Sequence, residues 1–323
     1  QLTPAQAEAL KRDPRVSLVE PDRVVSKRNP TWGQDRIDQR ALPLDQRFEP
    51  GGNGAGVHVY VIDTGLRGTH EEVRGRVGGG ANFAGPGPGP GLLESLLSLL
   101  HPGQVDRNDW NDCNGHGTHV AGSAVGARHG VARGATVYGV RVLGCDGSGS
   151  NSGVIAGIDW VLENHRKPAV ANLSLGGGNS EALDRSIRRL VSEGVTTVVA
   201  AGNDNADACS GSPNRVREAI TVGATDRNDA RASFSNWGRC VDIFAPGHEI
   251  PSAWYQSDTQ IRSISGTSMA APHVAGAAAL LLAADRNASP QAIGEALQSQ
   301  ATSGALSQLG AGSPNRLLHV GGD

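Results

Sequence analysis

Apolar residues fall along this chain in two alternating patterns. Short unbroken runs at 57–62, 136–142, 169–175, 195–201, 219–222 and 241–244 read as strands buried on both faces. Longer stretches at 116–127, 152–164, 181–193, 267–284 and 290–301 read as helices. Strands that alternate with helices predict an α/β fold, a mostly parallel central sheet with helices on both faces. Sites in such sheets gather where the strands end, so polar residues just past those runs are the first places to look for chemistry. Asp63 and Asn203 fall there.

Three motifs carry reactive side chains. The first run is followed by Asp63-Thr64-Gly65, a carboxylate at a strand's end ahead of a tight turn, where an aspartate can equally serve only to shape the turn. His116-Gly117-Thr118-His119-Val120-Ala121-Gly122 puts an imidazole at the start of a helix of small residues. A zinc pair is disfavoured there, because the two histidines are three positions apart, no acidic residue stands between them and no third ligand motif accompanies them. Gly266-Thr267-Ser268-Met269-Ala270-Ala271-Pro272 presents a serine at the start of an apolar helix, a position that suits an N-cap as well as a nucleophile. Together, Asp63, His116 and Ser268 occur in the order of a known acid, base and nucleophile constellation.

On these motifs the chain resembles the subtilisin-like serine peptidases, and among them the proteinase K and aqualysin branch. The likeness runs from Trp32-Gly33-Gln34-Asp35-Arg36-Ile37-Asp38 to Ser313-Pro314-Asn315-Arg316-Leu317, with one insertion. It implies the subtilisin-like three-layer fold and an endopeptidase in which Ser268 attacks the scissile carbonyl, His116 takes and returns the proton, and Asp63 orients the imidazole. Asn203, which by itself could be a turn asparagine, becomes with the Ser268 N–H a donor to the oxyanion. Gly147-Ser148-Gly149 and Ser174-Leu175-Gly176 become the two edges that pair with an extended substrate. Small residues at Ala200, Ala201 and Gly202 leave room for a large uncharged side chain, so broad cleavage after apolar or aromatic residues is expected. Gly144, just before Cys145, departs from the acidic residue usual in relatives and puts the details of the first edge in question. The alternative on the same fold is a non-catalytic binding protein; a missing catalytic residue would favour it, and none is missing.

Composition narrows the setting. At 323 residues and 38% hydrophobic the chain can bury a full core, in one large α/β domain or two smaller ones. Forty-five glycines and only 4% aromatic residues point to close packing and many tight turns. A net charge of −3 argues against nucleic acid or an acidic membrane as partner. No apolar run reaches the roughly 20 residues that span a bilayer, and the opening Gln1 reads as a fragment of a longer precursor. Polypeptide substrates are the expected partners, and a monomer the expected state.

Four cysteines, none in a zinc-like spacing, allow three pairings and suggest an oxidising compartment. The resemblance selects Cys113 with Cys145 and Cys209 with Cys240 and implies a secreted enzyme. It also implies structural calcium, held by the Asp242 carboxylate and the backbone carbonyls of Arg217 and Ala219; the alternative for Asp242 is an ion pair or a turn. The run Asp106, Asn108, Asp109, Asn111, Asp112 lacks the spacing of a calcium loop and reads as turn and capping chemistry.

Two segments stand apart from a plain mature peptidase. Residues 1–28 hold a helix signal at 2–10 and a strand signal at 16–25, similar to the last part of an inhibitory prosegment, so the chain's own prosegment is an expected partner of the peptidase domain, 29–323. The insertion at about 84–107 joins a Gly-Pro linker, 85–91, to six leucines in nine residues, 92–100. It is expected to form a short helix docked on the domain, or a lid or docking segment.

Overall fold

A capping box starts the first element: the Thr31 hydroxyl accepts from the Gln34 N–H and the Gln34 side chain accepts from the Thr31 N–H, opening α1 (Trp32–Ile37). The computed structural model describes Asp13, Val16, residues 29–84 and residues 106–321. The rest of the prosegment-like stretch 1–28, the Gly-Pro linker and the leucine run lie outside the described residues.

After α1 come β1 (His58–Asp63), β2 (Val77–Asn82), α2 (His116–Val125), β3 (Thr136–Arg141), α3 (Asn151–Asn164) and β4 (Ala169–Leu173). Then follow α4 (Glu181–Ser192), β5 (Val195–Ala200), β6 (Ile220–Thr225), β7 (Ile243–Pro246) and the hairpin β8 (Ile250–Ala253) and β9 (Ile261–Ile264). The chain closes with α5 (Thr267–Ala284), α6 (Pro290–Gln300), β10 (Thr302–Ser303) and β11 (Arg316–Leu317). Among the described residues, nine strands form one sheet in the order β10-β11-β7-β6-β5-β4-β1-β3-β2, parallel throughout except for the β10–β11 pair at one edge.

Strand alternation divides the core into two layers. Val59 and Val61 of β1 pack with α2, α5 and α6 on one face, while Tyr60 and Ile62 pack with α3 and α4 on the other. Each fully buried Val or Ile contributes about 1.5–3 kcal/mol relative to an exposed one. Helix α5 is long and apolar enough by length and composition to cross a membrane, but 72% of it is buried, which makes it the central core helix.

The observed elements depart from the sequence pattern where glycine breaks it. β6 runs on to Thr225 because Gly223 makes room for a neighbour: a Cβ there would lie 2.3 Å from Phe244 Cε1, on the adjacent β7. The run expected at 241–244 is displaced to Ile243–Pro246 by its pairing with β6. The run expected to reach Leu175 leaves the sheet after Leu173. Parallel register then does the positioning, since Val61 is level with Asn172 and Asn172 with Val198, so β1, β4 and β5 end side by side.

Candidate active site

Asp63 closes β1, fully buried, with its Oδ1 accepting the Thr64 N–H at 2.7 Å and paired with His116 Nδ1 at 2.7 Å. The imidazole reaches it because α2 begins immediately against the turn after β1. Gly117 permits that approach, for a Cβ there would lie 2.2 Å from the Gly65 carbonyl oxygen. Asp112 organises the same junction. Its carboxylate accepts from the Thr64 and Thr118 hydroxyls and from the N–H groups of Asn114, Gly115 and Thr118. The turn and capping chemistry expected of this Asx-rich run is seen at Asp112 and at Asp106, whose Oδ1 accepts the Asn108 N–H at 2.9 Å.

Burial alone would lower the His116 pKa, but the Asp63 charge and hydrogen bond, with a smaller contribution from Asp112, outweigh it and the net shift is upward. The ring keeps 26% of its surface exposed and lines a cleft. Its neighbour His119 is different in kind. Sealed in the core with its Nε2 against the Ile250 and Arg262 carbonyls, it is pushed by burial down to about 3 and stays neutral.

Ser268 is the second residue of α5, so its N–H is among those at a helix start that have no intrahelical acceptor. Asn203 stands beside it. The Asn203 Oδ1 accepts from the Thr267 N–H at 2.8 Å and from the Thr267 hydroxyl at 3.0 Å, and that hydroxyl accepts in turn from the Gly202 N–H at 3.1 Å. With the oxygen end tied down, the amide's NH₂ end is left for the cleft. Sequence reasoning gave Thr267 no role; its place beside Ser268 was the available signal. In this resting geometry the Ser268 hydroxyl donates to the Ser174 carbonyl at 3.1 Å and makes no hydrogen bond to His116.

Two cavities meet here, sharing Leu175, Gly176 and Gly177. One, about 490 Å³, holds Ser268, Asn203, Ala200 and Gly202 in its wall. Ala201 was expected with them, but alternation turns it away into a cluster with Phe244 and Leu317. The other, about 600 Å³, runs between Gly147-Ser148-Gly149 and Ser174-Leu175-Gly176 with His116 at its end.

A serine, an imidazole held by a buried carboxylate and an amide fixed at its oxygen end, lining two adjoining cavities, are groups that can perform acyl transfer. The family model described as "Subtilase family" matches residues 54–317. The chain belongs to the subtilase family. It is similar to the extracellular serine proteinase of Thermus sp. (strain Rt41A), with 53% identity over 96% of this chain and 72% of the relative. With alkaline serine exoprotease A of Vibrio alginolyticus it shares 48% identity over 98% of this chain and 57% of the relative. The crystal structure of a cold-adapted subtilisin-like serine proteinase superposes with a TM-score of 0.83 at 48% identity, covering 92% of this chain and all of that one.

In this subtilase, a serine peptidase by family, both cysteine pairs are closed as disulfides, Cys113–Cys145 and Cys209–Cys240. The first joins the loop before His116 to the edge at 147–149, and the Asn114 side chain adds a hydrogen bond to the Cys145 carbonyl at 2.9 Å. Among the described residues of the subtilase no cluster of three or more His, Cys, Asp or Glu is placed to hold a metal. Asp242 and Arg217 line a separate cavity of about 320 Å³, away from Ser268.

Proposed function

We propose that this subtilase is a secreted endopeptidase in which Ser268 is the nucleophile, His116 the general base and then acid, and Asp63 the group that fixes the imidazole tautomer. The observation that carries the reading is the 2.7 Å contact between Asp63 Oδ1 and His116 Nδ1, with His116 lining a cavity that shares Leu175, Gly176 and Gly177 with the cavity lined by Ser268. When an extended peptide pairs with 147–149 and 174–176, Ser268 turns from the Ser174 carbonyl toward His116 Nε2, which accepts its proton as Oγ attacks. Asn203 Nδ2 and the Ser268 N–H then receive the developing oxyanion. His116 returns the proton to the leaving amine, and water resolves the acyl-enzyme by the same route. The wall of small residues, Ala200 and Gly202, supports a preference for apolar or aromatic side chains before the scissile bond. The two disulfides and the extracellular relatives support secretion. A prosegment role for residues 1–28 fits the same reading.

A fluorophosphonate tests the assembly directly. It should form a stoichiometric adduct on Ser268, located by peptide mass, and none in His116→Ala. Absence of the adduct in the unaltered, oxidised protein would count against the nucleophile assignment.

The pH profile follows from the direction of the His116 shift. A base must be neutral, so activity is lost as pH falls through its pKa, and an upward shift puts the acid limb of kcat/KM above the ordinary 6.5. Asp63→Asn removes the charge and leaves the burial. Its residual activity should therefore show an acid limb below 6.5.

Subtilases commonly bind structural calcium. We place one such ion at Asp242, whose carboxyl burial pushes up to about 6 and whose Oδ2 accepts the Thr221 N–H at 2.9 Å; the Arg217 and Ala219 carbonyls would complete an all-oxygen set of the kind that suits a hard cation, and of these two residues only Arg217 lines the Asp242 cavity. The folded chain holds the Asp242 proton more tightly than the unfolded one. Without a cation this carboxylate therefore costs stability as pH rises through about 6, a cost that calcium offsets. In the Ser268→Ala background, which prevents self-digestion, chelation at pH 8 should lower Tm by about 5 °C, and Asp242→Asn should remove that dependence. An Asp242→Asn protein that still gains the full shift from calcium would place the ion elsewhere.

A further inference from the structure

Helix α5 carries a proline inside it, four residues after Ser268. Pro272 has no N–H to give the Ser268 carbonyl, and a proline ring crowds the carbonyl four residues back. The helix therefore offers no donor four residues on to the carbonyl of the residue proposed as nucleophile. The missing donor comes from outside the helix: the Ser174 hydroxyl donates to the Ser268 carbonyl at 2.9 Å. Its direction is set, because the Asn172 Nδ2 donates to Ser174 Oγ at 2.9 Å and leaves the hydroxyl proton for Ser268. Asn172 is 0% and Ser174 3% exposed, so water does not compete for these groups. With the return bond from Ser268 Oγ to the Ser174 carbonyl, the two residues are joined in both directions.

From this geometry we infer that Ser174 is a positioning residue for the nucleophile: its hydroxyl, aimed by Asn172, replaces the helix N–H that Pro272 lacks and fixes the Ser268 backbone against β4. A helix donor would register Ser268 to α5 alone. A donor at the first residue past β4, where the chain enters the peptide edge, registers it to the substrate, and with it the attack direction of Oγ and the N–H aimed at the oxyanion. The backbone at 174–176 binds; the Ser174 side chain acts on the chemistry. The inference rests on Ser268 being the nucleophile.

Ser174→Ala is expected to lower kcat about 30-fold with KM within about twofold, as displacement of a reacting group does. Pro272→Ala restores an N–H at the position that can reach the Ser268 carbonyl. In that background Ser174→Ala should cost less than about fivefold in kcat, because the helix now supplies the donor. A loss carried by KM, or the same loss in both backgrounds, overturns the inference. Should Ser174→Ala fold poorly, the comparison of Pro272→Ala with Ser174→Ala/Pro272→Ala still decides it, since a 30-fold gap there is equally fatal. Each variant is first titrated with fluorophosphonate. Adduct on Ser268 with lowered kcat bears on positioning, whereas failure of the unaltered protein to label bears on the nucleophile itself.

Discussion

Alanine at Ser268 lowers kcat by about a millionfold, and alanine at His116, alone or combined with the first change, lowers it by about the same factor. At about 1.4 kcal/mol per tenfold this is about 8 kcal/mol of barrier. The equality follows from the chemistry. Oγ attack and proton removal are parts of one event, so an imidazole without a hydroxyl has nothing to deprotonate, and a hydroxyl without the imidazole is a poor nucleophile at neutral pH. Asp63→Asn should cost less, about 10⁴, because the ring remains but its tautomer and charge are no longer held. What survives, about 10³–10⁴ over water, belongs to the oxyanion donors and binding. The check is kcat on a peptide anilide for the two single variants and the double. A double variant that loses the product of the two single losses would show the residues acting independently, contrary to the reading.

Asn203→Ala should lower kcat by about 10²–10³ with KM almost unchanged. On the proposed reading the donor acts on charge that exists only after attack begins, so it would stabilise the transition state and not the bound peptide. The structure adds a reason to expect a large effect. Thr267 holds the oxygen end of the amide through two hydrogen bonds, so no reorganisation is needed as the oxyanion forms. Asn203→Asp, of nearly the same shape, should be at least as damaging because it sets a carboxylate toward developing negative charge. A proportional rise in KM would instead assign Asn203 to substrate binding.

Much of this site was legible because each reactive residue sits at the end of a strongly patterned element. The apolar run before Asp63 and the helix Thr267–Ala284 announce themselves, and parallel order supplies the rest. β2 did not announce itself. Its sequence, Val77-Gly78-Gly79-Gly80-Ala81-Asn82, has three glycines in the middle and so no alternation to read; a Cβ at Gly78 would lie 2.2 Å from Tyr138 Cζ and one at Gly80 2.7 Å from the Trp110 ring. Packing removed the very signal by which strands are read. The orienting contacts were hidden for another reason. Thr267 meets Asn203 across 64 residues and Ser174 meets Ser268 across 94, and no local pattern encodes which distant partner a hydroxyl will find. Ala201 shows the complementary limit: three small residues in a row read alike, yet the backbone sends the middle one away from the cleft.

The bridge between Cys113 and Cys145 ties the loop before His116 to the loop before 147–149, both of which line one cavity, so the cell that makes the protein helps to decide which form of the site results. Chain synthesised in a reducing cytoplasm would keep the Asn114 to Cys145 hydrogen bond but lack the covalent link, and with it about 3–4 kcal/mol of loop constraint in the chain-entropy model. Material recovered from a periplasm or a culture medium would carry it. Two preparations of one gene, identical in sequence and differing by two hydrogen atoms at this bridge, would then give different heat inactivation curves, and the host compartment belongs among the variables of any kinetic comparison.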